Sequence, residues 1–448
     1  MPRRLDAIVL GAGAAGLAAA EVLSREGLSL VVLEARRRIG GRIRTLRLSG
    51  LPVPLELGAE FVHGREEELF ALAREASIAV VRLPAAHLEI EGGRTRIRRD
   101  YWTRFEAIAR RLRSSGRDRS VADFLRAQRR MPLRDRELLA SIVEGYDAAD
   151  LERASEHALS MRGEPREDPG ERAQFRVASG YDRVPRWLAS RLHPGRARVR
   201  LGAAAARVRW RRGEVEVSTS GGETMRARCA VITLPAGVLQ ARAGSRGAVA
   251  FEPDPAPVRR ALSGIAMGDV CRLALVFDEP FWSEPDVLAR RVPRGALGEG
   301  ESAFVHLPGA QLPTWWSAAP VQAPLMVAWA GGSEARRLLA LPREELVRRA
   351  LAQLGEIWRL DPSRLRRRLV DWRLHDWTAD PFSRGAYSYQ VVGGASAPDA
   401  LKRPVAGTLF FAGEATEGQR SGTVPGAISS GRSAARRLLR AIGRARST

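Results

Sequence analysis

The pattern Gly11-x-Gly13-x-x-Gly16, written GAGAAG, joins a short apolar run at residues 6–10 to a helical pattern at 17–26. Each glycine has its own task. Gly11 permits a tight turn, Gly13 lets backbone approach a pyrophosphate, and Gly16 lets helix and strand pack closely. The N-terminus of the helix that follows offers unpaired N–H groups and the positive end of a dipole to phosphates. A second apolar run at 30–33 ends at Glu34, near the spacing expected of a ribose-binding carboxylate. Strand, helix, strand and acid together point to a bound dinucleotide; a helix start used only for packing is the plain alternative.

Two further segments follow directly. Ala35 and the run Arg36–Arg38 lead into Gly40, Gly41 and Arg42 of RRRIGGRIRT. The two glycines make a flexible turn, and Arg42 can reach a pyrophosphate as a two-pronged donor. A nicotinamide enzyme needs no such element here. In LELGAEFVHG, Gly58 and Ala59 would let backbone approach a flat ring, Glu60 comes next, and His63 follows Gly58 by five residues. Alone, a histidine is more often a core or surface residue; its place in this motif favours a functional reading. Near the C-terminus, FFAGEATEGQRSGTVPGA holds the turn Gly413-Glu414 and the helix start at Thr423 and Val424. N–H groups at that start can meet an electron-rich ring edge, such as the pyrimidine side of a reduced flavin.

These residues need elements to hold them. Helical patterns cover 66–75, 102–113, 120–130, 134–144, 182–191, 343–358 and 426–439. Alternation at 198–211 and 214–220 predicts a hairpin. Strands are expected at 230–233, 271–277, 326–330 and 408–412, an extended piece at 371–377, and a polar loop at 162–172. No repeat or low-complexity linker interrupts them. The mixture predicts an α/β domain interleaved with an α+β domain.

With these segments in view, the chain resembles the FAD-dependent amine oxidase family: monoamine oxidases, polyamine oxidases, L-amino-acid oxidases and the flavin histone demethylases. The resemblance covers nearly the whole chain and is strongest over 6–64 and 409–439. GAEFVHG and GTVPGA look most like the bacterial polyamine-oxidase-like branch. It implies a Rossmann-like FAD-binding domain built from 1–80, 180–248 and 386–448, and a substrate domain built from 81–179 and 249–385. Gly11, Gly13, Ala14, Ala15, Gly16, Glu34, Ala35, Arg36, Gly40, Gly41 and Arg42 would hold the ADP part. Gly58, Ala59 and Glu60 would lie beside the isoalloxazine. Val208 would give backbone contacts to the adenine, and Gly413, Glu414, Thr423 and Val424 would meet the ribityl-flavin part. His63 would face the substrate amine, and Tyr387 of RGAYSY would form one wall of an aromatic cage.

Three positions depart from the family pattern. Ala386 stands where some monoamine oxidases attach flavin through cysteine, so the FAD is expected to be non-covalent. Thr423 replaces the second cage tyrosine, which suits the polyamine branch. Arg272, in MGDVCRLALVF, stands where the family usually has the lysine that holds a water at the flavin's reactive nitrogen and helps oxygen react. Arginine is larger, planar and always charged, so the exchange is not conservative. It could slow oxygen use or mark another acceptor. A demethylase role is disfavoured because no long helical insertion is visible. The implied reaction is hydride transfer from the carbon beside a neutral amine, imine hydrolysis, and reoxidation by oxygen to hydrogen peroxide. An L-amino-acid oxidase, a carotenoid desaturase or protoporphyrinogen oxidase relative, and a flavin-binding protein without turnover are the alternatives.

Composition bounds the rest. In 448 residues, 45% apolar and 28% charged are globular proportions. The net charge of +22 comes almost wholly from arginine, since Lys402 is the only lysine. Arginines are spread along the chain, which reads as codon usage; a nucleic-acid surface would concentrate them in a stripe with aromatics, so no specific nucleic-acid partner is expected. Cys229 and Cys271 are isolated, so neither a zinc site nor a disulfide framework is expected, and a reducing cytoplasm is the natural setting. The apolar run at the N-terminus is broken by Asp6 and glycines, and no stretch reaches the ~20 residues of a membrane span. The partners expected are a small amine and oxygen, in a monomer or homodimer. Trp315, Trp316, Trp372 and Trp377 are candidates for a channel wall or for the core.

Overall fold

The structure is a computed structural model describing residues 5–162, 173–293, 296–297 and 302–443; the predicted polar loop at 162–172 lies outside them after its first position. Its first framework is an eight-stranded sheet. Leu5–Leu10 lies between the parallel strands Leu30–Leu33 and Thr224–Ile232. Ala197–Arg200 extends this row on one side, and Leu409–Phe411 pairs in parallel with the end of Thr224–Ile232. Every residue of Leu30–Leu33 and Leu409–Phe411 is buried, as expected where helices cover both faces of a parallel sheet. The same sheet continues antiparallel through Glu214–Thr219 and Ala205–Arg211.

One sequence expectation fails here. Residues 198–211 are not one hairpin arm. Gly202, at φ +70°, breaks the run, and the N–H groups of Gly202 and Ala203 donate to the carbonyls of Arg36 and Glu34. Ala197–Arg200 thereby joins Leu30–Leu33, and only Ala205–Arg211 enters the hairpin. Alternation alone cannot show a strand changing partners.

The helix Ala14–Arg25 covers this sheet and is crossed by the helix Val424–Ala441. The crossing is backbone on backbone: a Cβ on Gly431 would lie 2.0 Å from the carbonyl oxygen of Ala15. The last helix is therefore seated directly against the glycine-rich turn.

The second framework is a seven-stranded sheet ordered Leu369–Leu374, Val270–Phe277, Leu325–Gly331, Thr314–Ser317, Ser302–His306, Ala86–Glu91 and Arg94–Arg98. Alternation along Val270–Phe277 sends Cys271, Leu273 and Leu275 into a core with the helix Arg343–Trp358, whose bounds match the sequence pattern. Arg272 and Ala274 take the opposite face. Ala274 packs there with Leu55, Leu57 and Trp316, while a separate cluster joins the helices Tyr101–Ala109, Val121–Ala127 and Leu133–Ser141. The pattern at 134–144 predicted a continuous helix; instead it widens into a π turn over Ile142–Tyr146. Its Gly145 carbonyl accepts from Trp329 Nε1 at 2.7 Å, and a Cβ on Gly331 would lie 2.0 Å from the Glu144 carbonyl oxygen. Close packing on the sheet fixes the widened turn, which the local pattern does not carry.

Because the helix crossing leaves no room for a methyl group, Gly431→Ala should lower Tm by several degrees, as a ~1–3 kcal/mol overpacking loss does. Gly221→Ala, whose nearest neighbour is 3.8 Å away, serves as the control and should leave Tm in place. Equal melting curves for the two would refute the contact.

Candidate active site

A cavity of about 450 Å³ is lined from both frameworks. At its dinucleotide end Gly11 adopts φ +103°, and a Cβ on Gly16 would lie 1.9 Å from the Gly11 carbonyl oxygen. A Cβ on Gly13 would meet nothing within 4 Å, and no side chain caps the helix that Gly13 begins. Gly13, Ala14 and Ala15 line the cavity, so this helix start faces open space. Glu34 is buried, its carboxylate accepting from the N–H groups of Ala12 and Arg36, each at 2.9 Å. Arg36 reaches Asp380 at 2.7 Å and Ser383 at 2.8 Å. Arg38, which the sequence did not single out, donates to the carbonyls of Ile39, Gly41 and Ile43 and so holds the Gly40-Gly41 turn.

Arg42 does not simply project into the cavity. Its Nη1 donates at 2.8 Å to both the Ala386 carbonyl and Glu414. Glu414 also accepts from Ser388 Oγ at 2.7 Å and the Gly422 N–H at 3.0 Å. Burial pushes this carboxyl up, but the Arg42 charge and the Ser388 hydrogen bond outweigh it and leave it below the usual range. Thr423 caps the last helix: its Oγ1 accepts from the Gly426 N–H at 3.0 Å. Gly413, Thr423 and Val424 line the cavity beside it.

Gly58 is required by contact, since its Cβ would lie 1.8 Å from the Arg42 carbonyl oxygen. The Gly58 carbonyl accepts from Arg272 Nη1 at 2.8 Å, and Arg272 Nη2 pairs with Glu60. Glu60 meets a second guanidinium, Arg176, at 2.7 Å, and accepts from Trp316 Nε1 at 3.1 Å. Burial raises the Glu60 carboxyl, but the Arg272 and Arg176 charges and the Trp316 hydrogen bond bring it below the usual range. The fork of Arg272 is thus committed to protein, while its buried Nε has no partner among the described residues. A lysine at this point would lack the second arm that reaches Glu60, which is why the chain's own arginine behaves as a fixed charge.

Further along, the His63 ring meets Tyr146 edge-on at 4.9 Å, and Tyr146 meets Trp102 at 5.0 Å. Tyr387 Oη donates to the Tyr146 carbonyl at 2.6 Å, and its ring lies 3.2 Å from where a Cβ on Gly422 would be. His63, Tyr387 and Arg272 therefore share one cavity wall with Ala35, Gly40, Gly41, Ala59 and the groups above. Gly16 and Val208 do not reach it. Gly16 is packed against Gly11, and Val208 is fully buried in the core, with Ala204 and Ala205 on the wall instead. Trp316 and Trp377 line the cavity, whereas Trp315 and Trp372 pack into the core behind the sheet. Sequence reasoning missed Tyr146, Trp329 and Glu106. Trp102 and Glu106 are four apart on one helix and so share a face, a signal that was available; Tyr146 sits on the π turn and carried none.

The turn, open glycines, uncapped helix start and orphaned Arg272 Nε fit a flavin dinucleotide. Residues 14–439 match the family model described as flavin containing amine oxidoreductase. The chain belongs to that family. It is an FAD-dependent amine oxidase. Polyamine oxidase 1 of Oryza sativa subsp. japonica is 30% identical, with 96% of this chain and 96% of that protein covered. Polyamine oxidase 2 of Arabidopsis thaliana is 28% identical, with 97% and 88% covered. Putrescine oxidase bound to putrescine superposes at a TM-score of 0.79 with 20% identity, covering 98% of this chain and 99% of that one. Cyclohexylamine oxidase from Brevibacterium oxydans does so at 0.80 with 21% identity, covering 98% and 100%. At such identities the solved structures establish the fold. Among the described residues of the oxidase, no helix is long and apolar enough to cross a membrane.

Two outcomes follow for stability. Glu60→Gln leaves buried guanidiniums uncompensated and should cost about 3–5 kcal/mol in denaturant unfolding. Adding Arg272→Met should recover part of that loss; simple addition of the two single losses would refute the coupling. Glu56, next to this strand, is pushed up to about 7 from 4.5 by burial, against hydrogen bonds from the Tyr181 N–H and Thr45. The folded state then holds a proton that the unfolded state releases, so stability falls as pH rises from about 4.5 to about 7. Glu56→Gln should flatten that decline in unfolding measured across the same window.

Proposed function

We propose that this oxidase acts on a polyamine, with His63, Tyr387 and Arg272 as the residues nearest the chemistry and FAD held without a covalent link. One observation carries the amine over the amino acid. Each arginine on the cavity wall is already matched to a carboxylate: Arg36 to Asp380, Arg42 to Glu414, Arg272 to Glu60 and Arg420 to Glu66 and Glu417. An L-amino-acid oxidase needs an arginine for the substrate carboxylate, and among the described wall residues all four are spoken for. The named functions of the polyamine and putrescine oxidases favour a polyamine. The aromatic rings of Tyr387 and Tyr146 suit an amine by their faces.

When bound, FAD would take a hydride from the carbon beside the amine and pass the electrons to oxygen, with hydrolysis of the imine completing the reaction. The glycine-rich turn and Glu34 would hold the ADP part, and Arg42 would move between Glu414 and the pyrophosphate. The Gly58-Ala59 backbone would lie along the ring, while the helix start capped by Thr423 would put its positive end on the pyrimidine side. Ala386, on the cavity wall, offers no thiol for a covalent link. His63 would accept a hydrogen bond from the amine and select its neutral form. Arg272 would add a fixed positive charge beside the ring. The division into 1–80, 180–248 and 386–448 against 81–179 and 249–385 is supported by the separate eight- and seven-stranded sheets, except that Ala250–Glu252 pairs with Ala205–Arg211 in the first sheet.

The test is the flavin absorbance of the purified oxidase, titrated without air with spermidine, spermine, putrescine, simple monoamines and amino acids. Polyamines should bleach it at the lowest concentrations, and His63→Ala should raise those concentrations at least about tenfold. Bleaching by amino acids alone would overturn the reading. On readmitting air, Arg272→Lys should reoxidise at least about tenfold faster than the parent; equal rates would make the exchange neutral.

A further inference from the structure

Past His63 the cavity wall continues as a row of rings. His63 to Phe61 is 6.3 Å, Phe61 to Phe304 is 5.4 Å, and Phe304 to His87 is 5.0 Å. The row reaches three polar side chains of the seven-stranded sheet, His87, His306 and Thr314, all on the cavity wall. His87 Nδ1 and His306 Nε2 lie 2.8 Å apart, and His306 Nδ1 lies 3.4 Å from Thr314 Oγ1. The topology makes this cluster. Ala86–Glu91 runs parallel beside Ser302–His306, and Thr314 sits directly across from His306 on the next strand. No sequence motif announces it, and the chemistry proposed above does not use it.

Two imidazoles that share one hydrogen bond cannot both donate in it, so at least one ring is neutral, and burial of both favours two neutral rings. The chain Thr314–His306–His87 then has two directions. In one, Thr314 donates to His306, His306 donates to His87, and His87 turns an N–H outward. In the other, each bond is reversed and His87 turns a lone pair outward. The two directions carry the same net charge; passing from the first to the second releases a proton from His87 at one end and takes one up at Thr314 at the other. Burial draws His87 down to about 4, and burial, then the neighbouring His87, draws His306 well below the usual histidine range.

Among the described residues, the charges beside this cluster are paired as follows. Glu89, beside His306 in register, is paired with Arg98 at 3.0 Å and Arg96 at 3.6 Å. Along the ring row, Glu60 serves two guanidiniums, leaving that wall net positive, and Arg176 and Arg272 already cover Phe61 and Trp316 at 5.5 and 5.4 Å. Glu106 and Asp147 stand on the helical side with Trp102 and Tyr146. An ammonium carried to the histidine pair would lose its hydration and meet excess positive charge. A neutral group able to donate or accept would be matched by one of the two directions.

From this arrangement we infer that His87, His306 and Thr314 form a subsite for an uncharged hydrogen-bonding tail, a hydroxyl or an amide, carried by the amine at a distance from the carbon that is oxidised. The inference rests on the amine-oxidation reading and adds the chemistry of the substrate's far end. A polyamine would fit with that end masked.

The experiment uses the FAD-loaded oxidase without air and four amines of one chain length: hexylamine, aminohexanol, N-acetyl-diaminohexane and diaminohexane. Half-saturation of flavin bleaching should come at least about tenfold lower for aminohexanol and the acetyl compound than for the other two. In His306→Phe and Thr314→Val that ratio should collapse to about one. Thr314→Val removes one hydroxyl at nearly constant shape, so it carries the test if the histidine variant fails to fold or retain FAD. Preference for diaminohexane, or a ratio unchanged in the variants, overturns the subsite while leaving the amine reading intact. Bleaching by none of these amines, nor by spermidine, overturns both.

Discussion

One buried carboxylate ties the two frameworks together. Glu60 lies on the segment that follows Gly58, Arg272 comes from Val270–Phe277, the second strand of the seven-stranded sheet, and Arg176 comes from Gln174–Val177, which pairs with Phe61–His63. Trp316 adds a hydrogen bond from Thr314–Ser317, two strands away in the same sheet. A charge triad of this kind is costly to desolvate, and removing one member is costlier still. The return is geometric. Arg272 also holds the Gly58 carbonyl, so this stretch of backbone is clamped from the seven-stranded sheet. Cavity shape and sheet-to-sheet placement are one constraint.

A second clamp works from the opposite direction. Arg42 and Glu414, far apart in sequence, meet beneath the Ala386 carbonyl and join the glycine turn to the last helix. Gly431 lets that helix sit on the backbone of Ala15. Both clamps use arginine with a carboxylate, and so do Arg36 with Asp380 and Arg420 with Glu417. The large positive charge of this chain is thus compatible with a wall whose arginines each meet a carboxylate, Glu60 being shared by Arg272 and Arg176. The surplus is spread elsewhere, where solvent screens it.

Compensation also sorts the cavity. Near Trp102, Tyr146 and His63 it carries carboxylates and rings; near His87 and His306 it carries neutral polar groups at the end of an aromatic row. An elongated amine would meet different chemistry at its two ends, with orientation following from that difference.

The local motifs determined much of this protein. GAGAAG with Glu34, the GGR turn, Gly58-Ala59 and the Thr423 cap are short-range patterns whose meaning lies in backbone geometry, so neighbouring residues suffice to read them. The helix Arg343–Trp358 was legible for the same reason, a 3.6-residue period. What depended on distant chain was not legible. The break at Gly202, the π turn bearing Tyr146, the burial of Val208 and the His87–His306 pair each arise from packing between segments remote in sequence. Arg272 shows the division most plainly. Its type and position in a buried strand could be read from sequence, but its role as a fixed charge came from Glu60, more than two hundred residues away. Spacing encodes what a residue can do locally; only the tertiary structure decides which partner desolvates it, pairs with it and holds it still.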